Sequence, residues 1–297
     1  MSSSRSSLQF IPPLIPTISA KPPEGGEWIH EVKYDGYRTQ IIIEDGKVRA
    51  FTKTGQDWTA KYGPIIEAAA ALPCKTAIID GETVVLDEKG VSDFSALPGA
   101  IRKAPERLIF VAFDLLYLDG FDRRWDTLHS RRVALWNLVK PAKGKIQFSQ
   151  HVDIEGADFF RAVDAMELEG IISKKAGSKY VSGPSKTWLK TKCFTESEYE
   201  VVGLKRAPGQ AAMALMAEPG RPPKYVGSAI IALKGEMRER LLKRVQEKAR
   251  LKGMENDGVE WVRPGITGVT KHLKGEQKLR HATLASIREA NKVKSGD

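Results

Sequence analysis

Glu31-Val32-Lys33-Tyr34-Asp35-Gly36-Tyr37-Arg38 sets a lysine two residues ahead of an Asp-Gly pair, at the end of a strand-like run, WIHEVKY. Residues two apart in an extended chain share a face, so Lys33 and Asp35 are expected side by side. Gly36 is expected to permit a tight turn. Arg38 then returns a fixed guanidinium fork suited to phosphate. A lysine is a nucleophile only when deprotonated, which requires burial or neighbouring cations to lower a pKa of ~10.4. The same eight residues fit a solvated surface hairpin, and alone they do not choose between the two.

The flanking sequence is mixed α and β. Upstream, the first ~30 residues are rich in Ser and Pro and read as an extended arm. Downstream, TQIIIE, VRAFT, TAIIDGETVVLD and LIFVAFDLLYL read as short strands. Asp45-Gly46, Lys89-Gly90 and Asp119-Gly120 mark hairpin turns. Helices are expected over Pro64–Leu72, Thr127–Val139 with Thr127 as N-cap, and Asp158–Met166. Near residue 194 the texture changes. YEVVGLK, AAMALMA and KYVGSAIIAL read as strands, Glu236–Leu251 as a helix, and VEWVRP as a final strand. Short strands interrupted by one helix in ~100 residues fit an OB-fold β-barrel. The expected domains are therefore residues 1–193 and 194–297.

The chain has 297 residues, 47 Lys plus Arg against 37 Asp plus Glu, and a net charge of +10. Residues 194–297 carry 20 basic and 13 acidic side chains, or +7 of that excess. A basic surplus concentrated in one domain suggests a polyanionic partner. An apolar share of 41% with 28% charged residues suits a packed globular protein. No run approaches the ~18 apolar residues of a membrane span. The start lacks the apolar region of a secretory signal, so a cytoplasmic protein, near the nucleoid if bacterial, is expected. Two cysteines, Cys74 and Cys193, exclude a disulfide framework and a four-cysteine zinc site. The five histidines show no paired spacing and receive no catalytic role.

Further motifs follow Lys33 in order: Asp80-Gly81-Glu82 ending the strand AIID, Phe113-Asp114, Glu169-Gly170-Ile171-Ile172 ahead of Ser173-Lys174, and Lys190-Thr191-Lys192. As an ordered set these resemble motifs I, III, IIIa, IV and V of the covalent nucleotidyltransferases. The closest resemblance is to ATP-dependent DNA ligases. Within them WIHEVKYDGYR, FTKTGQDWT, FDLLYLDG and SGPSKTWLKTKC are similar to the ligase module of bacterial end-joining ligases. The resemblance covers roughly residues 25–193. Such modules are often fused to further domains; 297 residues suggest a stand-alone version.

The resemblance implies an α+β fold of two domains. The first is a nucleotidyltransferase (ATP-grasp-like) domain of antiparallel sheets with flanking helices, and the second an OB barrel. It also implies the roles. Lys33 attacks the α-phosphate of ATP, and AMP passes to a DNA 5′-phosphate, which the 3′-hydroxyl then attacks. Glu31 meets the adenine amino group, with Val32 beside it, and Phe113 stacks on the base. Glu82 takes the ribose or, with Glu169, a metal, Mg²⁺ or Mn²⁺; few carboxylates suffice for such an ion. Arg38, Lys53, Lys174, Lys190 and Lys192 face phosphates, with Asp35 and Gly36 in support. Nicked or broken duplex DNA is the expected substrate, end-joining proteins the expected partners, and a monomer the expected state.

Two positions depart from the family pattern. Lys53 stands after Thr52 where an arginine is usual, keeping charge but losing the fork. In LRHATLASIREANK, Arg288 fits the closing motif VI, but Ala290 and Asn291 replace the expected Asp and Lys. Slow self-adenylation is expected from that loss. The same motifs are shared by RNA ligases and capping guanylyltransferases, and a non-catalytic ligase-like DNA-binding protein is the alternative outside enzymes.

Overall fold

The computed structural model describes residues 7–142, 144–220, 222–246, 258–274 and 278–289. The chain divides into two compact units, residues 1–192 and 193–297.

The strands of the first unit are β1 (Leu14–Ile18), β2 (Trp28–Val32), β3 (Tyr37–Glu44), β4 (Lys47–Thr52), β5 (Thr76–Val85), β6 (Leu108–Leu118), β7 (Phe121–Asp122), β8 (Ile146–Phe148), β9 (His151–Val152), β10 (Gly170–Lys175) and β11 (Gly183–Lys192). Its helices are α1 (Gly63–Ala70), α2 (Leu97–Lys103), α3 (Leu128–Val139) and α4 (Gly156–Ala165). One sheet runs β4-β3-β5-β6-β7, with β8 added on β6, and the other runs β1-β11-β10-β2-β9. Most pairings are antiparallel; β1–β11 and β6–β8 are parallel.

The run Ile41-Ile42-Ile43 explains the layering. Alternate side chains of a strand point to opposite faces. Ile41 and Ile43 enter a core shared with Ile65 of α1, Leu97 of α2 and Leu135 of α3. Ile42 enters a second core with Leu14, Ile29 and Trp188 of the other sheet. Both faces of the first sheet are therefore covered, which is why its strands read as unbroken apolar runs. Turn chemistry acts as expected at Asp45-Gly46, where φ of 47° and 79° joins β3 to β4. Thr127 caps α3 by accepting from the Ser130 amide.

Several expectations are corrected here. The Ser- and Pro-rich start, expected as an extended arm, is extended at residues 14–18 but joins a sheet there by pairing with β11. Asp80-Gly81-Glu82 does not end a strand. It sits within the ten-residue β5, at a register shift between Asp80 and Gly81. The extended run carrying Lys33 stops at Val32, so Lys33 and Asp35 are not on one strand face. Gly36 serves close approach, because a Cβ there would lie 2.3 Å from the Thr83 carbonyl oxygen. Gly170 does likewise against Thr191.

The second unit comprises β12 (Phe194–Lys205), β13 (Met213–Glu218), β14 (Lys224–Ile231), α5 (Gly235–Leu242), β15 (Val245–Gln246), β16 (Val259–Val262), β17 (Ile266–Leu273) and β18 (Thr283–Glu289). Pairings run β12-β13-β14-β18-β17 and return to β12. Val201, Met216, Ala229, Leu241 and Leu284 fill its core. The helix expected to reach Leu251 ends at Leu242, because Val245 pairs with Val262. VEWVRP is not the last strand; β17 and β18 follow. The motif VI segment lies on β18 as far as Glu289, whereas Ala290, Asn291, Lys292 and Lys294 lie outside the described residues. No helix among the described residues is long and apolar enough to cross a membrane.

Candidate active site

Lys33 is fixed from both ends. Its amide donates to the Gly170 carbonyl at 2.8 Å, and its Nζ donates to Glu169 Oε2. The other oxygen of Glu169 lies 3.2 Å from Lys192 Nζ. Glu169 thus bridges two lysines, one after β2 and one ending β11, from its place immediately ahead of β10.

Lys33 opens onto a cavity of about 480 Å³ whose walls include Glu31, Val32, Arg38, Lys53, Glu82 and Phe113, with Lys174 and Lys190. That is the size range of small-molecule sites. Its polar groups fall into two clusters. The first holds Lys33, Lys53 and Lys190 on the wall, with Glu169 and Lys192 joined to Lys33 outside the lining. The Lys190 ammonium is pulled below the usual lysine value by burial and then by Lys192, Lys33 and Lys53. Such a concentration of cations has the charge that suits a polyanionic group.

The second cluster surrounds Glu31, which is almost fully buried. Its Oε1 accepts from Arg132 Nη1 at 2.6 Å and pairs with Lys174 Nζ at 2.7 Å, while Oε2 accepts from Ser149 Oγ at 2.6 Å. Burial opposes its ionisation, but Lys174 and Arg132 outweigh that and hold the carboxyl below its ordinary value. Lys174 is pushed down to about 8, by burial first, with Glu31 opposing. Its Nζ lies 4.6 Å from the Phe113 ring centroid and 4.1 Å from that of Trp188. Lys174 therefore stands among the aromatic walls and pairs with Glu31 rather than with Glu169, whereas the resemblance implied a phosphate-facing lysine there.

Arg38 is a second correction. Its Nε and Nη2 each donate to Asp80 at 2.7 Å, so the fork expected for phosphate is occupied by a buried carboxylate. The guanidinium also lies 4.5 Å from the Phe113 ring centroid. Phe113 packs edge-on against Trp188 and belongs to the inter-sheet core, yet still reaches the cavity. Asp35 is buried, and its amide donates to Ser92 Oγ at 3.1 Å. Arg288 is remote in sequence, on β18, where it pairs with Glu198 at 2.9 Å on an exposed surface.

The donor set fits a hard divalent cation in part supplied by substrate. Among the described residues no three His, Cys, Asp or Glu groups gather as a metal centre. Glu169 acts on Glu82 electrostatically. Burial pushes the Glu82 carboxyl up to about 7, with Arg38 and Lys33 opposing and Glu169 adding. Two carboxylates beside a cluster of lysines suit Mg²⁺, which needs few protein ligands when phosphates and water complete its shell.

Arg132, Ser149 and Ile172 were missed by sequence reading. The signal was indirect: two acids in apolar strands, Glu31 and Asp114, require buried partners. The partners are the consecutive Arg132 and Arg131 of α3, the latter donating to Asp114 at 2.7 and 2.9 Å.

Residues 17–192 match the family model for the ATP dependent DNA ligase domain. The chain is 35% identical over 237 residues to the multifunctional non-homologous end joining protein LigD of Pseudomonas aeruginosa, covering 79% of this chain and 27% of that protein. It is 26% identical over 295 residues to the LigD protein of Mycolicibacterium smegmatis, covering 94% of this chain and 38% of that one. The chain thus spans well under half the length of these relatives. Among solved structures, mycobacterial DNA ligase D complexed with ATP and MES superposes with a TM-score of 0.60 at 27% identity, covering 93% of this chain and 94% of that one. With the matched segment running from within β1 to the end of β11 and holding every lysine of the cavity wall, the chain belongs to the ATP-dependent DNA ligase domain family.

Proposed function

We propose that this chain seals breaks between 5′-phosphate and 3′-hydroxyl ends in duplex DNA, at the expense of ATP, and serves end joining. The observation that carries the reading is Lys33, set between Glu169 and a cavity that pairs a cationic end with an aromatic, carboxylate-bearing end. In the first step the Lys33 Nζ–phosphorus bond forms as the bond from the α-phosphorus to pyrophosphate breaks. Lys53, Lys190 and Lys192 neutralise the phosphate charge that shifts onto the leaving group. Phe113, Ile172 and Glu31 receive the base, and Val32 and Gly36 fix the lysine between them. AMP next moves from Lys33 to a DNA 5′-phosphate, and the 3′-hydroxyl displaces it.

Glu82 and Glu169 are the residues that would hold Mg²⁺ or Mn²⁺, which when bound supplies further charge neutralisation at phosphate oxygens. The second unit is proposed as an OB-fold DNA-binding domain. Its closed run of pairings β12-β13-β14-β18-β17-β12, its parallel β14–β18 contact and its +7 charge support that reading. The names of the relatives support the end-joining role.

The test is transfer of label from α-labelled ATP to the protein, followed by sealing of a nicked duplex. A labelled band from wild type, absent from Lys33→Ala, supports the reading; label retained on Lys33→Ala overturns it. Sealing only when one strand is RNA would replace DNA by RNA as the substrate.

A further inference from the structure

Arg132 stands outside every segment to which the sequence assigned chemistry, yet it is the residue on which the base end of the cavity is built. It is buried on α3. Nη1 donates to Glu31 Oε1 at 2.6 Å, and Nη2 donates to the Ser149 carbonyl at 2.7 Å. Nη2 also lies 3.1 Å from His151 Nδ1. The guanidinium carbon sits 4.6 Å from the Phe148 ring centroid, which fixes its plane. Ser149 in turn donates its hydroxyl to Glu31 Oε2 at 2.6 Å. One arginine therefore holds the carboxylate and also the backbone of the residue that holds its other oxygen.

A carboxylate offers about four acceptor directions. Arg132 hydrogen-bonds Oε1, beside which the Lys174 ammonium sits as an ion pair at 2.7 Å without an aligned hydrogen bond, and Ser149 occupies one direction of Oε2. One direction of Oε2 remains, on a side chain that lines the cavity beside Phe113 and Ile172. A flat base carrying an exocyclic amine satisfies that acceptor. A base with a carbonyl in the same place sets acceptor against acceptor, and a site built for one hydrogen bond rejects the analogue that cannot make it.

We propose that Arg132 is a positioning residue for base selection. By fixing Glu31 and Ser149 together it aims the uncommitted lone pair of Glu31 at the amine of adenine, and so sets the preference for a 6-amino over a 6-oxo purine nucleotide. The proposal rests on the ligase reading above.

The test compares ATP with inosine triphosphate in self-adenylation of the full chain, measuring KM and kcat separately. For Arg132→Met the KM for ATP should rise about 10- to 100-fold while that for inosine triphosphate changes less than about threefold, so that the preference collapses at nearly constant kcat. Arg132→Lys, keeping the charge without the fork, should fall between. If Arg132 only supports the fold, both nucleotides lose in equal proportion together with thermal stability, and the proposal is overturned. Should Arg132→Met not fold, Arg132→Lys and Ser149→Ala decide it; an unmoved preference in both overturns it. A wild type labelled by neither nucleotide sinks the ligase reading and this proposal with it. A labelled wild type with an unmoved preference in the variants sinks the proposal alone.

Discussion

Arg38 grips Asp80 through two parallel hydrogen bonds, Nε to Oδ1 and Nη2 to Oδ2, both at 2.7 Å. Asp80 is wholly buried and accepts a third bond, at 2.6 Å, from the Tyr180 hydroxyl. The pair clamps β3 to β5 beneath Phe113, and Tyr180 extends the clamp to the other sheet through the Leu14 amide. Removing one partner of a buried pair leaves an uncompensated charge and costs about 3–5 kcal/mol. Arg38→Met should therefore lower the melting temperature by roughly 10 °C. Calorimetry on the variant checks this; a normal melting temperature with a raised KM for ATP would return Arg38 to the phosphates.

Lys33 and Lys192 share Glu169, one on each oxygen. Glu169→Ala removes a carboxylate from between two cations, and the lysines then repel across the space it occupied. Self-adenylation should fall at least ~100-fold, about 2.7 kcal/mol of barrier. Single-turnover labelling measures it, and a rate within threefold of wild type would show that Glu169 is dispensable.

Much of this was legible in the sequence because it is periodic or local. Ile41-Ile42-Ile43 announces a strand covered on both faces, and Thr127 announces a helix start. Arg131 and Arg132 were not legible, since an arginine on a helix reads as solvent-facing until its acid is located 17 or 101 residues away. β1 was hidden by Pro12, Pro13 and Pro16. A strand at the end of its sheet tolerates the missing amide donors, and β1 is such an edge strand. Asp80-Gly81 looked like the end of a strand but is a register shift inside one, and Gly81 is there because a Cβ would meet the Phe110 ring at 2.4 Å.

Lys174 carries a pH signature. Burial brings its folded-state value to about 8, against 10.5 for an ordinary lysine. Between those values the unfolded chain binds a proton that the folded one has released, so stability gains from this residue as pH rises through that window. Below pH 8 both states hold the proton and the gain is absent. Relative to Lys174→Met, wild type should become more stable by about 2 kcal/mol from pH 8 to pH 10. Urea unfolding of the two proteins at pH 7, 8.5 and 10 reads this directly, and parallel curves would show that Lys174 is not desolvated.

Gly36 and Gly46 lie ten residues apart and separate two reasons for glycine. At Gly36 φ is not left-handed, but an added Cβ would lie 2.3 Å from the Thr83 oxygen and 2.7 Å from Val84 Cγ1. The carbonyl cannot yield without parting β3 from β5, where Arg38 stands opposite Glu82. Gly36→Ala should consequently displace the Lys33 segment and the Asp80 clamp together, with a loss of several kcal/mol and no measurable self-adenylation. At Gly46 φ is +79° and no atom lies within 4 Å of the added Cβ. Gly46→Ala meets only the left-handed backbone penalty, about 1–2 kcal/mol, far from the cavity. It should melt slightly lower and label normally with α-labelled ATP. Equal losses of labelling in the two variants would mean that the β3–β4 hairpin as a whole, rather than the contact at Gly36, sets the position of Lys33.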